Sequence, residues 1–277
     1  FTNLHFDSDE SIALTYHRII EAMKFGFAKR TLLGDPDFMD QQYLSQLLHN
    51  LTDKNYGESI RNRIPEITQN ESYYDPSYIS LNDHGTTHVS VYASDGSAVS
   101  ITNSINIWFG SGYRSLKTGI TYNNHIDDFS IENRTNAYLL KPSPINNIQA
   151  FKRPFSSMSP MFITNNDKLF MILGGSGGTR IITSVASVIL YKIWFNQTLG
   201  ESILHPRVHH QLTPNKAVFE EKYPVKSSVI ELLKNKYGHK VGFTSIPEYS
   251  SVQAICLEDD FIYAKSDPRK YGLEDGY

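Results

Sequence analysis

The run Gly85-Thr86-Thr87-His88-Val89-Ser90-Val91 joins a glycine-bounded turn to an alternating strand with a hydroxyl at its first position. If the chain is cut before Thr86, that threonine gains a free α-amino group beside its own hydroxyl. One residue then holds both a nucleophile and a base. An α-amino group has a reference pKa of ~7.7–8.0, close to the ideal for proton transfer near neutrality. Gly85 lets the backbone bend sharply for such a cut. The plainer alternative is an ordinary strand-start threonine, a residue common in strands. Thr87 is the rival nucleophile, but it would lack the free amine, and strand alternation turns it to the opposite face.

Three further groups could serve the same chemistry. Ser104 and Asn106 are two residues apart on the next extended run, which puts hydroxyl and amide on one strand face. Gly174-Gly-Ser-Gly-Gly-Thr179 precedes a helical pattern, yet it lacks the lysine of a phosphate loop and the spacing of a dinucleotide fingerprint. Ten histidines invite a metal reading. Neither the pair His84 and His88 nor the pair His209 and His210 has zinc-site spacing with a third ligand, so no metal and no cofactor are expected.

The elements that must position these groups are mixed. Ile12, Tyr16, Ile19, Met23 and Phe27 recur at helical spacing. Gly34-Asp-Pro-Asp37 ends that region, and Phe38, Leu44, Leu47, Leu48 and Leu51 form a second stripe, expected like the first to pack into a core. Residues 70–84 are polar and are expected to be exposed and mobile. Asp95-Gly96 is a type I′ signal between Val89–Ala93 and Ala98–Ile101, which predicts a β-hairpin. Residues 169–173 read as a strand, 179–195 and 225–236 as helices, and 252–257 and 261–264 as late strands. This order lacks clean βαβ alternation and favours antiparallel sheets with helices outside.

The block from Thr86 to Ser130 resembles the start of the small subunit of γ-glutamyl transpeptidases, which belong to the N-terminal nucleophile hydrolases. Arg153–Pro160, Gly174–Thr179, Pro206–Pro214, Ser266–Arg269 and the final Gly276-Tyr277 match further family runs in family order. Leu14–Ala22 and Ala28–Asp35 resemble the end of the large subunit. The resemblance implies an α+β fold, the four-layer αββα sandwich, with residues 1–85 as the C-terminal part of a large subunit and 86–277 as the small subunit. It implies autocleavage between Gly85 and Thr86 and attack by Thr86 on the γ-glutamyl amide of glutathione and related compounds. A γ-glutamyl ester then passes to water or to an amino acid or dipeptide acceptor. Gly177 and Gly178 would offer an oxyanion hole. Ser156 and Ser157 would hold the glutamyl α-carboxylate, and Asp128 its α-ammonium, strengthened if Phe129 is buried.

Two positions depart from the family pattern. His125 stands where Glu or Gln is usual, and a neutral imidazole can accept from an ammonium whereas a protonated one repels it. Ser104 replaces a usual Thr but keeps a hydroxyl that can bond to Thr86. The family also uses an arginine from the first half of the large subunit, which this chain is read as lacking. Arg30 and Arg61 are not in that motif. The chain opens at Phe1 in mid-pattern and is read as a fragment of a precursor that alone should fold poorly and turn over little substrate. The change at His125 leaves one rival reading, a non-catalytic relative that keeps the scaffold as a binding protein. A weaker third is an acylase of the same fold.

A net charge of −3 over 277 residues gives no electrostatic footprint for nucleic acid. Cys256 is the single cysteine, so no intrachain disulfide can form. The most apolar stretch, Ile181–Phe195, is interrupted by Lys192 and falls short of the ~20 residues that span a bilayer. Four N-x-Ser/Thr sequons, at Asn50, Asn70, Asn133 and Asn196, agree with the extracellular face of the plasma membrane that the resemblance implies, or with secretion.

Overall fold

Helix α1 (Asp9–Arg30) begins with a reciprocal capping box between Ser8 and Ser11 and ends with Lys29 and Arg30 in its last turn. Acid at the start and base at the end complement the helix dipole. The computed structural model describes residues 6–78, 86–130, 143–245 and 249–277. His84, Gly85 and Asn133 lie outside the described residues.

The α1 stripe is core as expected: Ala13, Tyr16, Ile19 and Ile20 pack with Leu190, Phe219, Val229 and Leu233. The second stripe is not. Asp40 caps α2 (Gln41–Thr52), but only Leu44 of the stripe is buried, while Phe38 and Leu48 are exposed. Its neighbour α3 (Lys54–Arg63) has no buried residue of its own and offers no layer to cover α2. The expectation of an exposed segment after Asn70 holds for Asn70, Ser72, Tyr73, Asp75 and Ser77 but not for Tyr74. Tyr74 is fully buried, and its hydroxyl donates to Glu21 Oε2 at 2.5 Å.

The hairpin forms from β1 (Thr86–Tyr92) and β2 (Ala98–Ser104), with Thr86 paired to Ser104. Its turn differs from type I′. Gly96 alone carries positive φ, at 88°, and Ala93 pairs with Ser97 around a three-residue loop. The alternation also resolves in an unusual sense. His88 is buried, whereas Val89, Val91, Val99 and Ile101 are exposed, so the polar face is the inner one. It packs on a four-stranded antiparallel sheet of β3 (Met161–Asn165), β4 (Lys168–Ser176), β8 (Ser251–Glu258) and β9 (Phe261–Lys265), in the order β3-β4-β8-β9. The hydroxyls of this face donate to that sheet: Ser100 Oγ to Leu173 O at 3.0 Å and Ser90 Oγ to Gln253 O at 3.4 Å.

Between these strands lie α4 (Arg180–Trp194) and α5 (Leu199–Leu204). They cover the far face of the four-stranded sheet through Ile181, Val185, Val188, Leu199 and Ile203 against Met171, Leu173, Val252 and Ala254. Each such fully buried aliphatic side chain contributes roughly 1.5–3 kcal/mol. A smaller sheet holds β5 (Val208–His209), β6 (Ala217–Glu220) and β7 (Val241–Thr244). Here β6 and β7 run parallel, joined through α6 (Ser227–Asn235), an exception to the expected antiparallel pairing. Helix on sheet on sheet is a mixed α+β sandwich. No helix among the described residues is long and apolar enough to cross a membrane.

Candidate active site

Thr86 stands at the mouth of the hairpin, half-buried, and Thr87 is exposed on the other face. The strand register sets Thr86 beside Ser104, and the Thr86 hydroxyl reaches the Ser104 hydroxyl at 3.5 Å. Asn106 arrives beside them by another route than strand alternation. The strand ends at Ser104, and Asn106 takes a left-handed φ of 76°. That turn lets its backbone N–H donate to Ser104 Oγ at 2.9 Å and its side chain to Asn124 O at 3.3 Å. Asn106 Oδ1 is buried and has no hydrogen-bond partner among the described residues.

His125 and Asp128 share one short 3-10 turn, His125–Asp128. His125 Nδ1 lies 2.7 Å from Asp128 Oδ2, and Nε2 lies 3.2 Å from Ser104 O. Both ring nitrogens are therefore engaged within the protein, in contrast to the free acceptor that the sequence left open. Phe129 is buried, as expected, and so is Asp128. Burial raises the Asp128 pKa above the ordinary carboxylate range, and the bond from His125 opposes it.

Asn146 carries the network onward. Its side chain donates to Asp128 O at 2.7 Å and accepts from Phe155 N at 3.0 Å. This ties the Asp128 turn to the loop of Ser156 and Ser157. Ser156 is exposed and Ser157 buried, so the two hydroxyls are not equivalent. Arg30, from the end of α1, donates to Ser157 Oγ at 2.8 Å and lies over the Phe155 ring at 4.2 Å. Asp35 holds the same loop at its other end. It accepts from Arg153 N at 2.7 Å and from the Arg153 guanidinium at 2.6 Å, and that guanidinium keeps its carboxyl well below the usual range. The sequence reading missed Asn146 and passed over Arg30. The Gly-Asp-Pro-Asp run after Arg30 was a signal of a built corner there; nothing local singles out Asn146.

Gly177 and Gly178 form the turn between β4 and α4 with φ of 128° and 64°, where glycine is favoured. A Cβ on Gly177 would lie 2.7 Å from Ser250 Cα. The glycine run meets the hairpin at Gly174, where an added Cβ would overlap the His88 ring. That ring is bonded to Thr102 and Ser90, and burial pushes its pKa down to about 4. Gly85, the other side of the expected cut, lies outside the described residues.

One histidine–carboxylate cluster with ligand-like spacing occurs elsewhere among the described residues, at His17, Glu21 and His239. It was not anticipated. Its atoms are already satisfied: His17 bonds to His239 at 2.9 Å and to Pro65 O at 2.8 Å, and Glu21 is paired with Lys24 and Tyr74. Such a set reads as an internal polar network rather than a metal centre.

The stacked sheets, the outer helices and a threonine at a strand start opposite a second hydroxyl define the class of N-terminal nucleophile hydrolase folds. Within it, the family model of gamma-glutamyltranspeptidase matches residues 2–277, and the chain belongs to that family. Glutathione hydrolase proenzyme 1 of Schizosaccharomyces pombe is 40% identical over 264 residues, covering 94% of this chain and 41% of the relative. The chain thus spans less than half the length of that relative. A solved acivicin-inhibited gamma-glutamyltranspeptidase is 37% identical with a TM-score of 0.61, covering 67% of this chain and 100% of its own. A cephalosporin acylase from Bacillus halodurans shares the fold over 100% of this chain, with a TM-score of 0.74 at 23% identity.

Proposed function

We propose that the protein is a γ-glutamyl hydrolase and transpeptidase made as a precursor. Cleavage between Gly85 and Thr86 divides it into a large-subunit part, 1–85, and a small subunit, 86–277, which stay together as a heterodimer. The freed α-amino group of Thr86 takes the proton of its own hydroxyl. The hydroxyl oxygen attacks the γ-carbonyl of glutathione or a related γ-glutamyl amide. Gly177 and Gly178 offer N–H groups to the oxyanion, and the amine leaves with the proton that the Thr86 α-amino group had taken up. Water or the amine of an amino acid or dipeptide then resolves the γ-glutamyl-threonine ester. Ser104 holds the Thr86 hydroxyl in line. Ser156 and Ser157 take the glutamyl α-carboxylate, and Asp128, Asn106 and His125 surround its α-ammonium.

The observation that carries this reading is the continuous hydrogen-bonded path from Thr86 through Ser104, His125, Asp128 and Asn146 to the Ser157 loop. It ties a hydroxyl nucleophile to an anion-binding and a cation-binding group, as an α-amino acid donor requires. Family membership supports the same chemistry. We further place its work outside the cell, as the family resemblance implies; the exposure of the sequon residues Asn50, Asn70 and Asn196 agrees with that placement.

Intact-mass and N-terminal analysis of the full-length protein tests the nucleophile. A small subunit starting at Thr86 is expected, with γ-glutamyl-p-nitroanilide turnover. Thr86→Ala should lose both, with at least a ~10³-fold fall in turnover. A folded, uncleaved wild-type protein without turnover would leave the non-catalytic scaffold as the better account.

A further inference from the structure

Hydrogen-bond accounting at His125 requires a second proton. Nε2 faces the Ser104 carbonyl oxygen at 3.2 Å, and a carbonyl can only accept, so Nε2 carries a hydrogen. Nδ1 faces Asp128 Oδ2 at 2.7 Å. With a ring protonated only at Nε2 and an ionised Asp128, two lone pairs would oppose each other at that distance. The resting pair therefore holds a proton between Nδ1 and Oδ2, whichever atom it sits on.

The surroundings show what could replace that proton. Asp128 is buried, and Asn106 Oδ1 beside it is a buried acceptor without a partner among the described residues. Among the described residues, the charged group acting on Asp128 besides His125 is Asp127, itself bonded to Asn124 at 2.7 Å. Ser104 at the end of β2, Asn106 just after it, Asn146 and Phe129 are uncharged. These residues thus offer three acceptor atoms, Asp128 Oδ2, Asn106 Oδ1 and, once its shared proton leaves, His125 Nδ1. That set fits an ammonium group.

We propose that the α-ammonium of an acyl donor exchanges with the proton shared by His125 and Asp128, so that His125 makes recognition of the donor's amine proton-linked. The inference rests on the reading that Asp128 faces the donor amine. The exchange balances. A neutral pair plus R–NH₃⁺ gives an ammonium held by neutral His125 and Asp128 carboxylate, with one proton released to solvent. Acyl donors that keep the α-carboxylate but lack the amino group, the glutaryl amides, leave the pair protonated and release nothing. His125 is then a specificity-determining residue. It narrows the advantage of γ-glutamyl over glutaryl donors at low pH and restores it as pH rises.

The test uses the full-length, cleaved protein with L-glutamate and glutarate as competitive ligands against γ-glutamyl-p-nitroanilide. The inhibition constant of glutamate should fall about tenfold per pH unit while the pair holds its proton, and that of glutarate should stay flat. Calorimetry in two buffers of different ionisation enthalpy should count about one proton released with glutamate and none with glutarate. His125→Gln should remove the slope for glutamate. Equal slopes for the two ligands, or a slope that survives in His125→Gln, would overturn the proposal. Should that variant fail to mature, the wild-type proton count decides alone: equal release with both ligands is the negative result. Asp128→Asn separates the two levels. If it leaves glutamate binding unchanged, the placement of the amine itself is wrong. If it weakens glutamate about 10-fold or more, as loss of a charged hydrogen bond should, but wild type shows no proton release, only this proposal fails.

Discussion

His88 illustrates how one residue can be both structural and close to the chemistry. It shares the inner face of β1 with Thr86, two residues away, and its ring fills the space that the absence of a side chain at Gly174 leaves. Burial holds its pKa down to about 4, against an ordinary value of 6.5. A group whose folded pKa is depressed contributes stability that is full above the unfolded pKa and is lost as pH falls toward the folded one. Unfolding free energy should therefore drop between pH ~6.5 and ~4, with up to about 3 kcal/mol of the loss traceable to this side chain. Urea titrations of wild type and His88→Asn across that range check it. The variant should show a shallower acid limb, and an identical limb would mean that the ring titrates normally.

At the scale of elements, the end of α1 reaches across the expected cleavage point into the Ser157 loop. Arg30 donates to the Ser157 hydroxyl, which leaves the serine's own hydrogen to be given to a carboxylate. Arg30→Gln should raise KM for γ-glutamyl-p-nitroanilide about 10-fold, the low end for loss of a charged hydrogen bond, with kcat within about 3-fold. In a Ser157→Ala background the same change should add little, because groups that act through one another are not additive. Steady-state kinetics on the four proteins of this cycle give the answer, and full additivity would mean that Arg30 works elsewhere.

For the whole molecule, a buried ion network joins two of the sheets. Arg207 pairs with Asp267 at 2.7 Å, Arg269 with Glu220 at 2.7 Å, and Asp267 with Arg269 at 3.3 Å. Asp267 also accepts from Val252 N of β8 at 3.0 Å. The four side chains come from the start of β5, the end of β6 and the chain's last turn, so the network fastens the small sheet to the large one. Breaking a buried pair leaves a stranded charge and costs about 3–5 kcal/mol. Asp267→Ala should lose stability on that scale in denaturant midpoints, or fail to mature, while exposed pairs such as Arg61–Glu58 should contribute little. An Asp267→Ala protein within about 1 kcal/mol of wild type would show the network to be dispensable.

Much of this architecture was legible along the chain. Helical spacing from Ile12 to Phe27 gave α1, alternation about Asp95-Gly96 gave the hairpin, and the glycine run before Ile181 gave the strand-to-helix turn. These are local properties, set by periodicity and by the few residues that tolerate a given φ. The misreadings were those where burial depends on a partner far away. The α2 stripe has the right period but no layer over it, Tyr74 is drawn inward by Glu21, and the hairpin turns its valines out because β8 and β4 accept the hydroxyls of Ser90 and Ser100 on its other face. The candidate site divides the same way. Residue type and spacing marked Thr86 and Ser104, and the family resemblance marked Asp128, Ser157 and the glycine pair. Only the tertiary structure joined them through Asn146 and Arg30 and occupied both nitrogens of His125, because hydrogen bonds between segments, up to the 127 positions that separate Arg30 from Ser157, are decided by packing, and a linear pattern carries no record of it.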